Sequence, residues 1–178
     1  MRVRVSAPAR LHLGIIDMKG DLGRIYCSVG VAINKPRTIV TVEPSNELII
    51  EGISAKRTTN FAKLMLNHLN IDSYIKIRVV SAPPTHVGLG SGTQLALAIG
   101  TAICEIFEVD MTVEEIAKVM KRGSISGIGI YAFKHGGFIV DGGRKENSEE
   151  IPPLIFRHDF PRDWFFVICI PRVERQIY

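Results

Sequence analysis

Cysteine is scarce in this chain, and paired spacing of it is missing altogether. Only Cys27, Cys104 and Cys169 occur in 178 residues, each isolated in apolar surroundings. No Cys-x-x-Cys spacing exists and the count is odd, which excludes a disulfide framework and a cysteine zinc site. The three are expected to act as small buried hydrophobes. Long apolar runs are missing as well. The longest, Leu95 to Phe107, contains Glu105 and falls short of the roughly 18 residues of a membrane span. The opening Met1-Arg2-Val3-Arg4-Val5 lacks the apolar centre of a signal peptide. A cytoplasmic protein without a membrane partner is therefore expected. Aromatics amount to 7% and form no stripe with basic residues, so the usual stacking support for RNA binding is lacking. Internal repeats and low-complexity tracts are absent too.

What remains is the composition of a globular domain, 46% hydrophobic and 22% charged. Its length is enough for one domain with a real core. The net charge of +4 comes from scattered Lys and Arg. An anionic small molecule accounts for it as well as RNA does, and so does plain surface solvation.

Strand signals crowd the first fifty residues: Arg2 to Val5, Arg10 to Ile16, Ile25 to Ile33, Thr38 to Glu43 and Leu48 to Glu51. Lys19-Gly20-Asp21 and Asn34-Lys35-Pro36 read as turns between them. Thr59 to Leu69 has the apolar spacing of an amphipathic helix, and Tyr74 to Val80 alternates like a strand. Thr112 and Glu115 form the sequence signature of a capping box that opens a further helix. Ser126 to His135 reads as a helix and Gly137 to Val140 as a strand. Glu146 to Glu150 and Pro152-Pro153 read as a surface connection, and Trp164 to Ile170 as a last strong strand. The pattern predicts an α+β fold, early strands packed by later helices. It lacks the regular alternation of a Rossmann or P-loop core.

The segment Pro84-Thr85-His86-Val87-Gly88-Leu89-Gly90-Ser91-Gly92-Thr93-Gln94 lies between the Tyr74 strand and the apolar helix. Strand, glycine turn, helix is the order that brings backbone N–H groups and a positive helix end to one place. The chemistry that suits it is phosphate binding by Gly88, Leu89, Gly90, Ser91, Gly92, Thr93 and Gln94. No Gly-Lys-Ser/Thr ending follows, so it is not a Walker A loop. Two other segments draw notice. Arg10 and His12 share a strand face by the period of two, and together could hold an anion or move a proton. Solvated strand residues are the plainer alternative. Arg122-Gly123-Ser124-Ile125-Ser126-Gly127-Ile128-Gly129 and Gly136 to Gly143 are rich in glycine, which fits tight turns as well as close ligand approach.

Pro8-Ala9-Arg10-Leu11-His12-Leu13-Gly14, the Pro84 to Thr93 loop, and Ser126-Gly127-Ile128-Gly129 before Gly136-Gly137 resemble, in order, the three motifs of the GHMP kinase superfamily. That resemblance implies the N-terminal GHMP domain: a two-layer fold like domain 2 of a ribosomal protein, with helices on one face of a sheet. Residues 1–160 would form it, and 161–178 would be a strand leading into a C-terminal domain that this sequence does not contain. A chain lacking half of the cleft is expected to fold, to be inactive alone, and to self-associate through the uncovered surface.

The departures refine the resemblance. Gly129 stands where many of these kinases carry a catalytic aspartate, and glycine cannot act as a base. The loop reads Gly-Ser-Gly-Thr instead of Gly-Ser-Ser-Ala, and His12 replaces an asparagine. In these respects the chain more closely resembles the archaeal β-ribofuranosylaminobenzene 5'-phosphate synthases of methanopterin biosynthesis. That branch implies a transferase joining phosphoribosyl pyrophosphate to para-aminobenzoate or para-hydroxybenzoate, with release of carbon dioxide and pyrophosphate. It also implies Mg²⁺ with the pyrophosphate. The loop would cradle pyrophosphate, Ser126 and Gly127 would bind substrate, and Arg10, His12 and Asp17 would be catalytic. Arg10 would pair with phosphate or carboxylate, His12 would position the ring or manage protons, and Asp17 would orient the ribose or a metal. The alternatives are a small-molecule kinase domain with ATP in the loop and a non-catalytic RNA-binding module.

Overall fold

The computed structural model describes residues 1–21 and 23–170. Ten elements follow in the order β1 (Val3–Asp17), β2 (Tyr26–Ser45), β3 (Ile49–Gly52), α1 (Ala55–His68), β4 (Tyr74–Ser81), α2 (Ser91–Ile106), α3 (Val113–Val119), α4 (Ile128–His135), β5 (Phe138–Asp141) and β6 (Leu154–His158). They form the α+β fold that the sequence predicts. One sheet carries all six strands, in the order β3-β4-β2-β5-β6, with β1 paired to β2. Pairing is antiparallel throughout except for β3 and β4, which α1 connects as a single crossover unit.

The early strands are fewer and longer than their sequence pattern. Arg2 to Val5 and Arg10 to Ile16 belong to one strand, β1, and the two later segments to one strand, β2. The reason lies in the pairing. Register passes from Ala7 opposite Thr38 to Ala9 opposite Ile33, so Pro8 alone faces the four residues Asn34 to Arg37. The proposed turn at Asn34-Lys35-Pro36 is thus an irregularity inside a ladder, where proline's missing N–H is tolerated.

The four helices touch one another and cover one sheet face. Helix α2 is central, with Leu95, Leu97, Ile99 and Ile103 essentially without solvent contact. They pack with Val40, Val42, Ile75 and Ile77 from the sheet and with Phe61 and Met65 of α1. Helix α3 opens as its sequence indicates: Glu115 N–H donates to the Thr112 hydroxyl, and the Glu115 carboxylate accepts from Thr112 N–H at 2.7 Å. Among the described residues, no helix is long and apolar enough to cross a membrane.

The end of the chain differs from the sequence pattern in two places. Glu146 to Glu150 and Pro152-Pro153 lie in a connection without helix or strand, as expected, but Leu154–His158, to which the sequence pattern assigned no element, is an edge strand paired with β5. It lacks the burial that would have marked it, since all but Leu154 are exposed. Conversely, Trp164 to Ile170 forms no strand. The segment still has an inner and an outer side: Ile168 packs beside Ala9, Val31, Ile33 and Leu89, while Phe165 and Val167 are 87% and 90% exposed. What it lacks is a neighbouring ladder among the described residues, so side-chain packing rather than backbone pairing holds it. Residues 171–178, the remainder of that expected strand, lie outside the described residues. Cys169, expected to be buried, is exposed on the same stretch, whereas Cys104 is buried.

Candidate functional site

Strand β1 aims Arg10 and His12 at the helical layer. Arg10 lies opposite Ala32 and His12 opposite Gly30, and directly opposed residues share a face. Gly30 supports α4 so closely that a Cβ on it would lie 2.2 Å from the Ile128 side chain. Small residues on β2 thus seat α4 beside the two polar side chains of β1.

Arg10 then meets the glycine loop. Its Nη1 donates to Gly88 O at 2.9 Å, and its backbone N–H donates to Leu89 O at 3.2 Å. The side chain lies over Gly90, whose φ of +69° and missing Cβ both permit the approach: a Cβ there would be 2.8 Å from Arg10 Cγ. Burial lowers the pKa of Arg10 from its ordinary value, and its Nε is buried without a partner among the described residues. His12 is also pulled down, first by burial and then by the Arg10 charge, against an opposing pull from Asp141. It is accordingly a neutral imidazole at neutral pH.

Helix α2 starts from the loop with Gly90 as N-cap, no side-chain cap and no acidic residue in its first turn. Its leading N–H groups therefore keep the donor capacity and positive field that suit an anion. A cavity of about 290 Å³ opens on this helix start. It is lined by loop residues Gly88 to Thr93, by His86, and by Arg10, Arg57 and Arg122. No carboxylate lines it, and no group of three potential metal ligands occurs among the described residues. The side-chain oxygens lining it are the hydroxyls of Ser91 and Thr93, so a Mg²⁺ here would be held chiefly by substrate phosphates and water.

Other residues singled out in the sequence fall elsewhere. Gln94 is fully buried and its amide donates to Gly129 O at 2.8 Å, so it ties α2 to α4. Ser126 and Gly127 hold the start of α4: the Ser126 hydroxyl and Gly127 N–H both donate to one oxygen of Asp141, at 3.0 and 2.8 Å. The other oxygen accepts from Ser28 N–H and Gly143 N–H. Asp17 stands seven residues from Arg10 along β1, roughly 23 Å at the rise of a strand. Its carboxylate accepts from Lys19 and Gly20 N–H at 2.9 Å, the capping of a turn. The structure brings Arg10, His12 and the loop together and leaves Asp17 apart.

Arg57 escaped the sequence pattern, and Arg122 and Asp141 stood in the glycine-rich segments without a role of their own. Arg57 precedes the apolar periodicity of α1, and Arg122 had only its neighbour Gly123 as a signal. Asp141 ends β5 before Gly142-Gly143, and only an acid next to paired glycines hinted at it.

The departures from the kinase pattern acquire a steric explanation. A Cβ on Gly129 would be 3.0 Å from Thr93 Cγ2 and 3.3 Å from Thr93 Cβ. Threonine in the loop makes a side chain at 129 a tight fit, one that Thr93 would have to accommodate by a few tenths of an ångström. A Cβ on Gly92 would lie 2.7 Å from an Arg57 terminal nitrogen.

Comparison with known sequences agrees with the fold and the loop. The family described as GHMP kinases N terminal domain matches residues 55–137. That match takes in α1, the glycine loop, α2, α3 and α4. It is 36% identical to beta-ribofuranosylphenol 5'-phosphate synthase of Methanothermobacter thermautotrophicus, over 97% of this chain and 59% of the relative. It is 38% identical to the protein of the same name from Archaeoglobus fulgidus, over 97% and 58%. The chain thus spans about three fifths of the length of these relatives. Homoserine kinase of Methanocella arvoryzae is 32% identical over 62% of this chain and 38% of its own length. Among solved structures, Methanococcus jannaschii mevalonate kinase superposes with a TM-score of 0.62 at 17% identity, covering 83% of this chain and 55% of that one. That likeness concerns the fold.

Proposed function

We propose that this chain is the phosphate-binding part of a transferase similar to beta-ribofuranosylphenol 5'-phosphate synthase. Its substrates would be phosphoribosyl pyrophosphate and para-hydroxybenzoate, with para-aminobenzoate as the variant acceptor. The phenol in the relatives' name favours the hydroxy acid. In the balanced reaction, the ring carbon bearing the carboxylate bonds to the ribose anomeric carbon. The bond to pyrophosphate breaks and its electron pair leaves with pyrophosphate. Loss of carbon dioxide returns the carboxyl bond's electron pair to the ring.

The observation that carries this reading is the pair Thr93 and Gly129. The kinase's usual base position holds no side chain, and Thr93 crowds the place where one would start, whereas a leaving pyrophosphate needs no base. What it needs is compensation of developing charge, and the loop supplies that through the uncapped start of α2 and the guanidinium groups around it. Arg10 braces the loop backbone from below. His12, kept neutral beside Arg10, offers an acceptor for a substrate hydroxyl.

Calorimetric titration of the chain with phosphoribosyl pyrophosphate and, separately, with ATP tests the assignment. Tighter binding of phosphoribosyl pyrophosphate is expected. Tight ATP binding with none of phosphoribosyl pyrophosphate would point to the kinase instead. Carbon dioxide release from carboxyl-labelled para-hydroxybenzoate is the matching turnover assay.

A further inference from the structure

Two of the arginines at the glycine-loop cavity make no side-chain hydrogen bond or salt bridge among the described residues. Arg57 lies in the first turn of α1, a helix whose first turn contains no acidic residue. A cation there faces the positive helix end, an arrangement that folding alone disfavours. Arg122 follows α3, with its guanidinium 5.1 Å from the centre of the Phe61 ring. Its Nε is buried without a partner among the described residues. Burial and the nearby Arg57 charge both lower the pKa of Arg122, so the two cations repel each other across a space lined by no carboxylate.

Their placement is specific. Arg57 reaches the loop across Gly92, at the point where a serine Cβ would stand. The start of α2 supplies N–H donors for one phosphoryl group. Two planar forks beside it supply donors and charge for another. No Phe, Tyr or Trp lines the cavity, and its one aromatic ring is the imidazole of His86.

We infer that Arg57 and Arg122 are substrate-binding residues that make the loop selective for a diphosphate, two adjoining phosphoryl groups, over a single phosphate. The inference rests on the reading of the loop as a phosphate site and extends it to two residues of α1 and of the segment after α3. Gly92 is part of the device because it admits Arg57.

The test is calorimetric titration of the chain with inorganic pyrophosphate and with orthophosphate, in EDTA so that protein groups alone report. Pyrophosphate is expected to bind at least tenfold more tightly than orthophosphate. Arg57→Gln and Arg122→Gln are each expected to weaken pyrophosphate about tenfold to a hundredfold, the worth of a charge-assisted contact, with much smaller effects on orthophosphate. Thermal unfolding of Arg57→Gln should show an unchanged or raised midpoint. Arg122→Lys retains stem and charge without the fork, and should also lose affinity if Arg122→Gln does not fold. Equal affinity for the two anions, or pyrophosphate binding unaffected by these substitutions, would overturn the inference. Phosphoribosyl pyrophosphate separates it from the proposed function. If that compound binds the unaltered protein and both Gln variants alike, the synthase reading stands and the arginine assignment fails. If pyrophosphate binding depends on both arginines but phosphoribosyl pyrophosphate does not bind, the reverse holds.

Discussion

Arg57 occupies the space that a side chain at Gly92 would take, its terminal nitrogen 2.7 Å from where the Cβ would be. The loop glycine and the helix α1 arginine are therefore one feature, although they are 35 residues apart in sequence. Gly92→Ser restores the residue type of the kinase pattern and is expected to push the guanidinium aside. Guanidinium groups are flexible ends, and serine is the better helix former by a few tenths of a kcal/mol. Stability should hold or rise slightly in urea unfolding, while pyrophosphate affinity drops about tenfold. Unchanged affinity with an intact fold would separate Gly92 from the binding device.

Thr93 and Gly129 give a second linked pair. Gly129→Asp would place a Cβ 3.0 Å from the Thr93 methyl and a carboxylate in a buried position. The expected cost is about 2–4 kcal/mol, from overpacking and unpaired charge together. Thr93→Ala in the same chain removes the closest contact, that with the Thr93 methyl, so a double-mutant cycle in urea should show a coupling of about 1 kcal/mol. Additive effects would mean that the two positions do not compete for the same space.

Local chemistry was legible in the sequence, and distant contact was not. The Thr112–Glu115 box and the glycine loop each span a few consecutive residues, so their geometry follows from residue type and spacing. Arg10 and His12 could be placed on one face because strand period needs no tertiary information. Arg57 became a loop residue only when α1 packed beside α2, and no periodicity encodes that. The same holds for Asp141, whose bond to Ser28 N–H spans 113 residues. Trp164 to Ile170 shows the converse. Its uninterrupted apolar run reads as a strand, but such a run cannot say whether another strand lies alongside.

Asp141 is 1% exposed and accepts four hydrogen bonds, which fix the entry to α4 against β2. Asp141→Asn replaces one acceptor oxygen by a donor facing N–H or O–H groups. The loss should be about 2–4 kcal/mol in chemical unfolding, since buried donors are left unpaired. Ser126→Ala removes only one of those bonds and should cost about 1 kcal/mol. If Ser126→Ala instead abolishes binding of phosphoribosyl pyrophosphate with stability unchanged, Ser126 contacts substrate and is more than a support for α4.

His12 makes stability depend on pH in a defined sense. Its folded-state pKa lies below the ordinary value because burial and Arg10 both disfavour the imidazolium. The unfolded chain therefore binds the proton more readily than the folded one, and stability rises with pH wherever that difference persists. The contribution is complete above the unfolded pKa near 6.5 and is lost progressively as pH falls below it. His12→Gln cannot take up the proton, so its unfolding midpoint should drop less than that of the unaltered protein between pH 7.5 and pH 5. The other histidines are common to both proteins, and their contribution cancels in the comparison. Parallel pH curves for the two would show that His12 titrates alike in the folded and unfolded chains, leaving no role for Arg10 in keeping the imidazole neutral.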